Sequence, residues 1–237
     1  MKILNFSFTV KERFLRYAQI DTQSEFNSPS TPSSMKQLDL ARLLVTELKE
    51  IGAQEVEMAP CGYVYATIPS TLKNTQVPVI CYNAHMDTTP EFCGSNVKPL
   101  CHPNYKGQEI ILPDNPQVIL SPKRSPELRK QIGNEIITAS GTTLLGADNK
   151  AGVAAIMDLA YQLLVVNPNA PHGKIRLLFS TDEEVMRGMD HIDLKKLGAD
   201  FAYSIDGETA GSYEWVSVED MQKSVETMVY LALLWAK

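Results

Sequence analysis

The sequence predicts an α/β fold in which a mixed β-sheet is flanked by helices. Short apolar, strand-like runs alternate with helix-length segments along the 237 residues. This alternation is typical of a sheet that is covered on both faces. Hydrophobic residues make up 44% of the chain and charged residues 21%, which is ordinary for a folded globular protein. The length allows one large domain or two small ones.

The first third of the chain is predicted to contain two helices and three strands. Residues 11–19 have helical character, and residues 24–34 predict a loop because Ser and Pro dominate them. Ser33 or Ser34 is then expected to cap a helix that ends at Gly52. The predicted strands cover residues 55–58, 64–68 and 77–83, the last of them more continuously apolar and therefore central.

The remainder of the chain begins with a long insertion. Residues 88–140 contain several Pro and Asn residues and no long periodic segment, so we expect irregular structure with an edge hairpin. Ser217 is predicted to cap a final helix, with Asp220 at its third position. Between the insertion and that helix, the pattern predicts a helix at 149–166 and strands at 175–180 and 201–205.

Charge, hydropathy and cysteine usage exclude several classes of function. The formal net charge of −6 does not favour nucleic-acid binding. The longest apolar run, residues 228–236, is far shorter than the roughly 20 residues of a membrane span. No signal peptide is recognisable at the N-terminus, so we expect a cytoplasmic protein with free thiols. The four cysteines are Cys61, Cys81, Cys93 and Cys101.

Four clusters of acidic or imidazole side chains follow predicted strands or begin a helix. Taken singly, each has an ordinary explanation: a surface pair, a helix N-cap, an exposed acidic turn or a strand-end turn. Loops at strand ends gather on one edge of an α/β sheet, where ligands commonly bind. The clusters are His85 with Asp87, Asp148, Asp182 to Glu184, and Asp206.

Together these clusters indicate a metal site. Imidazole and carboxylate groups suit zinc, and a divalent cation would relieve the repulsion among adjacent carboxylates. A two-zinc site needs terminal ligands, a shared carboxylate and a free carboxylate that moves protons. The clusters supply all three kinds of group.

These residues resemble the motifs of peptidase T, the tripeptide aminopeptidase branch of the cocatalytic zinc exopeptidases. The similarity extends from about Glu12 to about Glu208, and its long motif is far more specific than a His-x-Asp pair. The resemblance implies a zinc exopeptidase-like catalytic domain. The matching segments are Asp21-Thr22-Gln23-Ser24, Ala84-His85-Met86-Asp87-Thr88, Leu144-Leu145-Gly146-Ala147-Asp148-Asn149-Lys150-Ala151-Gly152, Thr181-Asp182-Glu183-Glu184 and Tyr203-Ser204-Ile205-Asp206-Gly207.

The resemblance implies a metal-binding role for four residues. His85 and Asp206 would hold one zinc, Asp148 would bridge two zincs, and Glu184 would bind the second zinc. It also implies catalytic roles for two more. Glu183 would act as the general base, and Asp87 would steady His85. The implied substrate is a small peptide.

The chain departs from the family pattern after Asp206. Family members are longer, and insert a lid and dimerisation domain that contributes a His, before a final His that binds the second zinc. Here the main part, residues 1–208, is followed almost directly by residues 214–237, which resemble the family's final helix. We therefore expect a single domain, 1–237, with an internal deletion joined near residues 210–213 and the second zinc site incomplete.

Histidine usage agrees with that incompleteness, because no His follows His191 in the chain. We expect His172 and His191 to be surface residues, and His102 has no assigned role. Met186 stands where the family usually has Gly. The expected oligomeric state is a monomer, because the family's dimer contacts would be lost with the lid domain.

Three hypotheses follow for function. The first is a tripeptide aminopeptidase core impaired by the missing ligand and lid. The second is a non-catalytic metal-binding or scaffold protein that kept the fold. The third is a related zinc carboxypeptidase or deacylase, which the Asp21 to Ser24 motif and the long Leu144 to Gly152 run disfavour.

Overall fold

Helices and strands alternate along the chain as predicted. The computed structural model describes residues 4–73, 76–207 and 213–236, and this part contains five α-helices and ten β-strands. The helices are α1 (Val10–Ala18), α2 (Gln37–Glu50), α3 (Ala147–Tyr161), α4 (Leu194–Leu197) and α5 (Val218–Leu234). The strands are β1 (Gln54–Met58), β2 (Val64–Ile68), β3 (Ile80–His85), β4 (Leu100–His102), β5 (Ile110–Ile111), β6 (Ile119–Leu120), β7 (Ile136–Thr138), β8 (Ile175–Ser180), β9 (Phe201–Ser204) and β10 (Trp215–Ser217).

A five-stranded mixed sheet forms the centre of the fold, with strand order β1-β2-β8-β3-β9. β2 pairs antiparallel with β1 and β8, whereas β3 lies parallel between β8 and β9. The register places His85 opposite Ser180 and Asn83 opposite Ser204. The carboxyl ends of β3, β8 and β9 therefore meet at one edge of the sheet.

The two faces of the sheet pack against different layers. Val64, Ala66 and Ile68 point into the main core, which helices α1, α2, α3 and α5 complete. Tyr65, between them in sequence, points to the opposite face and packs near Leu197 of α4. This alternation follows from the two-residue period of a strand, and it confirms the predicted mixed sheet flanked by helices.

Helix α3 is the most deeply buried helix of this core. Its residues Val153, Ile156, Met157 and Ala160 are fully buried, and the helix contacts β3, α1 and α5. A π-helical turn, Gln162–Val166, continues it. The predicted helix at 149–166 is confirmed, and α3 begins two residues earlier, after Gly146.

The insertion at 88–140 is more ordered than we expected. The predicted hairpin is present as β5 and β6. In addition, β4 and β7 pair with β10 in a second, antiparallel sheet, and a small core that includes Tyr105, Leu112 and Leu128 fills the insertion. Strands of two or three residues are too short to show a hydrophobic period, which is why the sequence did not predict them.

Two predicted helix caps have different outcomes. Ser217 caps α5 as predicted, because its Oγ accepts the Asp220 N–H at 3.2 Å. The predicted Ser33 or Ser34 cap is wrong: α2 starts after Lys36 and has no side-chain cap. Ser33 is instead bound to Asp182, a buried carboxylate far away in sequence.

Other boundaries and placements also differ from the prediction. The central strand β3 begins three residues later than predicted. It ends at His85 rather than at residue 83, because its pairing with β8 continues to that residue. The proposed join near residues 210–213 falls largely on residues 208–212, which lie outside the described part. None of the described helices combines the length and apolarity that a membrane crossing requires.

His172 is not a surface residue, which corrects our expectation. Its side chain is almost completely buried, and Nδ1 lies 2.8 Å from the Gly173 carbonyl oxygen. The 70–72 segment packs over this position, with the Thr71 N–H donating to the His172 carbonyl at 3.1 Å. Burial lowers the pKa of His172. His191 is exposed, as expected.

This burial predicts a pH dependence of stability for His172→Asn. The pKa of His172 is lower in the folded chain than the value of about 6.5 in the unfolded chain. At a pH between these two values, the unfolded chain therefore binds more protons than the folded chain. The stability that neutral His172 contributes is therefore complete above the unfolded pKa and is lost as the pH falls toward the folded pKa. Below about pH 6.5, the free energy of unfolding of His172→Asn, measured by urea denaturation, should fall less steeply than that of the unaltered chain. His191→Asn, which removes an exposed histidine, is the control; equal slopes for all three proteins would contradict the prediction.

Candidate metal centre and active site

His85 ends the central strand β3 and lies at the middle of the candidate site. Its side chain is buried, and Nδ1 lies 3.1 Å from the carbonyl oxygen of Asp87. A carbonyl oxygen only accepts, so Nδ1 carries a hydrogen and Nε2 faces the site. Burial alone would lower the pKa of His85, but hydrogen bonds to Asp148, Asp206 and Asp87 outweigh it and raise the pKa well above its ordinary value.

Two carboxylates converge on the Nε2 atom of His85. Asp148 Oδ1 lies 3.0 Å from it and Asp206 Oδ1 lies 3.5 Å from it. Asp148 stands in the first turn of α3, where its backbone and that of Asn149 leave the helical conformation, and Asp206 follows β9. The three residues offer ligand atoms that all lie within 4.8 Å of one another.

Glu183 and Glu184 follow strand β8 on a short 3₁₀ turn. Glu183 Oε2 lies 3.8 Å from His85 Nε2, and its side chain is about half exposed. Burial and neighbouring carboxylates raise the pKa of Glu183 despite the opposing effect of His85. Burial and repulsion from Asp148 raise the pKa of Glu184 to about 7.

Asp87 links the His85 strand to the Glu183 turn. Its buried carboxylate accepts the N–H groups of Glu183 and Glu184, each at 3.0 Å. The same carboxylate lies 3.4 Å from His85 Nδ1. Asp87 thus contacts the imidazole that it was predicted to steady, and it also fixes the turn that carries the two glutamates.

Asp182 is a supporting residue to which the sequence analysis assigned no separate role, although it belongs to one of the four clusters. It is buried, and its carboxylate accepts from the Ser33 N–H at 2.8 Å, the Ser33 hydroxyl at 2.6 Å and Gln37 Nε2 at 2.7 Å. Arg187 donates to it as well, at 3.2 Å. These bonds hold the start of the Glu183 turn against α2. Ser33 and Asp182 are 149 positions apart, so no local pattern could have paired them.

The residues present fit a divalent metal ion. One imidazole nitrogen and two carboxylates converge within 4.8 Å, which is the donor set that zinc accepts. Glu184 Oε1 is buried and has no hydrogen-bond partner, as expected of an oxygen that would bind a cation. Among the described residues, the ligand cluster contains no histidine other than His85. His102 instead lies 2.9 Å from the Thr138 hydroxyl on the second sheet.

A cleft opens beside this cluster. Its volume is about 270 Å³, which is enough for a small peptide side chain or terminus. His85, Glu183 and Asp206 line it, together with the exposed Met186 and Met189 at its rim. The half-exposed carboxylate of Glu183 therefore faces the space that a substrate would enter.

Comparison with known proteins identifies the relatives of this chain. In fold, the crystal structure of aminopeptidase PepT from Bacillus cereus superposes on this chain with a TM-score of 0.58 at 22% identity, over 84% of this chain and 43% of that chain. In sequence, peptidase T of Alkaliphilus oremlandii is 48% identical over 205 residues, 86% of this chain and 50% of that protein. Peptidase T of a Geobacillus species is 47% identical over 215 residues, 91% of this chain and 52% of that protein.

The chain is therefore similar to peptidase T over most of its own length, and the resemblance inferred from its motifs is confirmed. It spans about half the length of the curated relatives that it matches. No family model matches the sequence.

The rim residue Met186 has an unfavourable backbone conformation. Its φ is 62°, and 90% of its side chain is exposed. A left-handed conformation costs a residue with a Cβ about 1–2 kcal/mol, and the exposed side chain gains little contact in return. Glycine, which has no Cβ, would remove this cost.

We predict that Met186→Gly is more stable than Met186→Ala by about 1 kcal/mol. Both variants remove the long side chain, and only the glycine variant also removes the Cβ that makes the left-handed backbone costly. The measurement is the free energy of unfolding in urea. An alanine variant as stable as the glycine variant would show that Met186 is not strained.

Proposed function

We propose that this chain is a shortened peptidase T-like aminopeptidase core that hydrolyses the N-terminal peptide bond of tripeptides. The observation that carries the proposal is the convergence of His85, Asp148, Asp206 and Glu183 at one sheet edge. The chain has this arrangement while being 47–48% identical to proteins named peptidase T. The fold alone would not favour this reaction, because one fold supports many activities.

In this proposal the metal is zinc. His85, Asp148 and Asp206 would hold the first ion, and Asp148 and Glu184 would hold a second, with Asp148 shared. When bound, zinc supplies Lewis acidity that polarises the scissile carbonyl and makes water a better nucleophile. Catalytic zinc usually has three protein ligands, so the second site is one ligand short.

Glu183 would be the general base. Its half-exposed carboxylate lies 3.8 Å from His85 Nε2 and lines the open cleft. Oε2 would take a proton from water as the water oxygen adds to the carbonyl carbon. As the C–N bond breaks, the same carboxyl would return that proton to the leaving amine. Asp87 would keep His85 and the Glu183 turn in place through the hydrogen bonds described above.

The domain arrangement belongs to the same proposal. Residues 1–208 would form the main part of one catalytic domain and residues 214–237 its C-terminal helix, rejoined after loss of the family's lid domain. The substrate would be a small peptide, and the protein would be a cytoplasmic monomer. Sedimentation showing a stable dimer would contradict the monomer.

The test is zinc binding and tripeptide hydrolysis by the same preparations. Metal-free protein is titrated with zinc by calorimetry, and cleavage of trialanine by the zinc-loaded protein is followed by the release of free alanine. Glu183→Gln keeps the shape of the side chain but cannot take the proton, so turnover should fall about 10²–10⁴-fold. Zinc affinity should stay similar. Glu127→Gln, on an exposed turn away from the site, is the matched control.

His85→Ala supplies the second arm of the test. It removes the only nitrogen ligand of the described cluster, so zinc affinity and turnover should both be lost. Zinc binding without any turnover in the unaltered chain would favour a non-catalytic metal-binding protein of the same fold. Hydrolysis that survives Glu183→Gln would overturn the assigned base.

A further inference from the structure

Glu214 carries a buried carboxylate next to the candidate metal centre. Glu214 is only 2% exposed. Among the residues that the structure describes, no charged side chain forms a hydrogen bond with its carboxylate. Its partners are three backbone N–H groups of one segment: Leu145 and Gly146, each at 2.8 Å from Oε2, and Asp148, at 2.7 Å from Oε1. Burying a carboxylate is costly unless such donors surround it.

The segment that Glu214 binds is the one that presents Asp148. Gly146 has a φ of 77°, and Asp148 and Asn149 depart from helical geometry although they lie at the start of α3. Regular helical hydrogen bonds therefore do not determine the direction of the Asp148 side chain. Glu214 supplies the missing constraint, because its two oxygens bind residues on both sides of Ala147.

Glu214 is itself held from two directions. It precedes β10, which pairs with β7 in the second sheet, and β10 leads into α5, which packs against α3. The carboxylate therefore projects from the residue before β10 onto a segment whose backbone departs from helical geometry. A support that is fixed independently of the segment it binds can set that segment's position.

We propose that Glu214 is a positioning residue for the metal centre, which holds Asp148 in the orientation that binds the cation. The inference rests on the proposed metal site. It gives the C-terminal part of the chain a role in metal binding, although that part contributes no ligand to the described cluster. Removing a group that orients a metal ligand typically weakens metal affinity about 10–100-fold.

The test compares Glu214→Gln with Glu219→Gln. Glutamine has one acceptor oxygen, so it cannot serve Leu145 and Gly146 on one side and Asp148 on the other. Glu219 is a matched control, because it also lies in the C-terminal segment and its two oxygens accept one backbone N–H, that of Glu135, at 3.2 and 3.0 Å. One oxygen suffices there, so Glu219→Gln should leave the metal centre unchanged.

Three measurements are made on each protein. Amide hydrogen exchange of the metal-free protein should be faster at Asp148 or at Leu145 and Gly146 in Glu214→Gln only. Zinc affinity by calorimetry should fall about 10–100-fold in that variant. The visible spectrum of the cobalt-substituted protein should change as well, which a loss of global stability alone would not produce.

The outcomes separate this inference from the proposed function. If the unaltered chain binds no zinc, the metal site itself is wrong and the inference falls with it. If the unaltered chain binds zinc and folded Glu214→Gln binds it equally well with the same cobalt spectrum, Glu214 is structural only. Should Glu214→Gln not fold, Glu214→Asp keeps both oxygens on a shorter side chain, and the same affinity and spectral criteria apply to it.

Discussion

The parallel pairing of β3 with β8 and β9 is the constraint on which the site depends. It aligns His85 with Ser180 and Asn83 with Ser204, so the residues that follow each strand emerge at one edge. A shift of one residue would turn the side chains of β3 to the opposite face and direct His85 away from the acidic residues. The register is well determined because β3 and β8 are buried along their whole lengths.

Convergence of so many carboxylates creates repulsion, and the fold holds them largely with neutral donors; Asp182, which also binds the Arg187 guanidinium, lies outside the ligand cluster. Asp87 accepts the N–H groups of Glu183 and Glu184, and Asp182 accepts that of Ser33. Hydrogen bonds to charged groups contribute about 1.5–3 kcal/mol each. Because backbone N–H groups bring no full positive charge, the acidic turns are fixed in place while their negative charge stays available for a cation.

The sequence predicted the elements whose signals are local. The apolar runs of β2, β8 and β9, the stripe of α3 and the Ser217 cap are all visible within a few residues. The prediction failed where contacts between distant segments determine the position of a side chain. Ser33 does not cap α2, because its hydroxyl donates to the distant buried carboxylate of Asp182. His172 is buried because the segment at 70–72 covers it. The candidate ligands could be chosen from the sequence, but their supports could not, because these contacts join segments distant in the chain.

The two halves of the proposed metal centre are unequal, and the inequality bears on function. Within the described part of the chain, His85, Asp148 and Asp206 converge, whereas Glu184 lies outside that cluster and has a buried oxygen without a hydrogen-bond partner. The proposed base, Glu183, lies beside His85 in the more complete half. Losing a ligand of the second site would therefore leave the proposed base beside His85. The proposed enzyme would accordingly keep its base beside the more complete site, while the second site stays one ligand short.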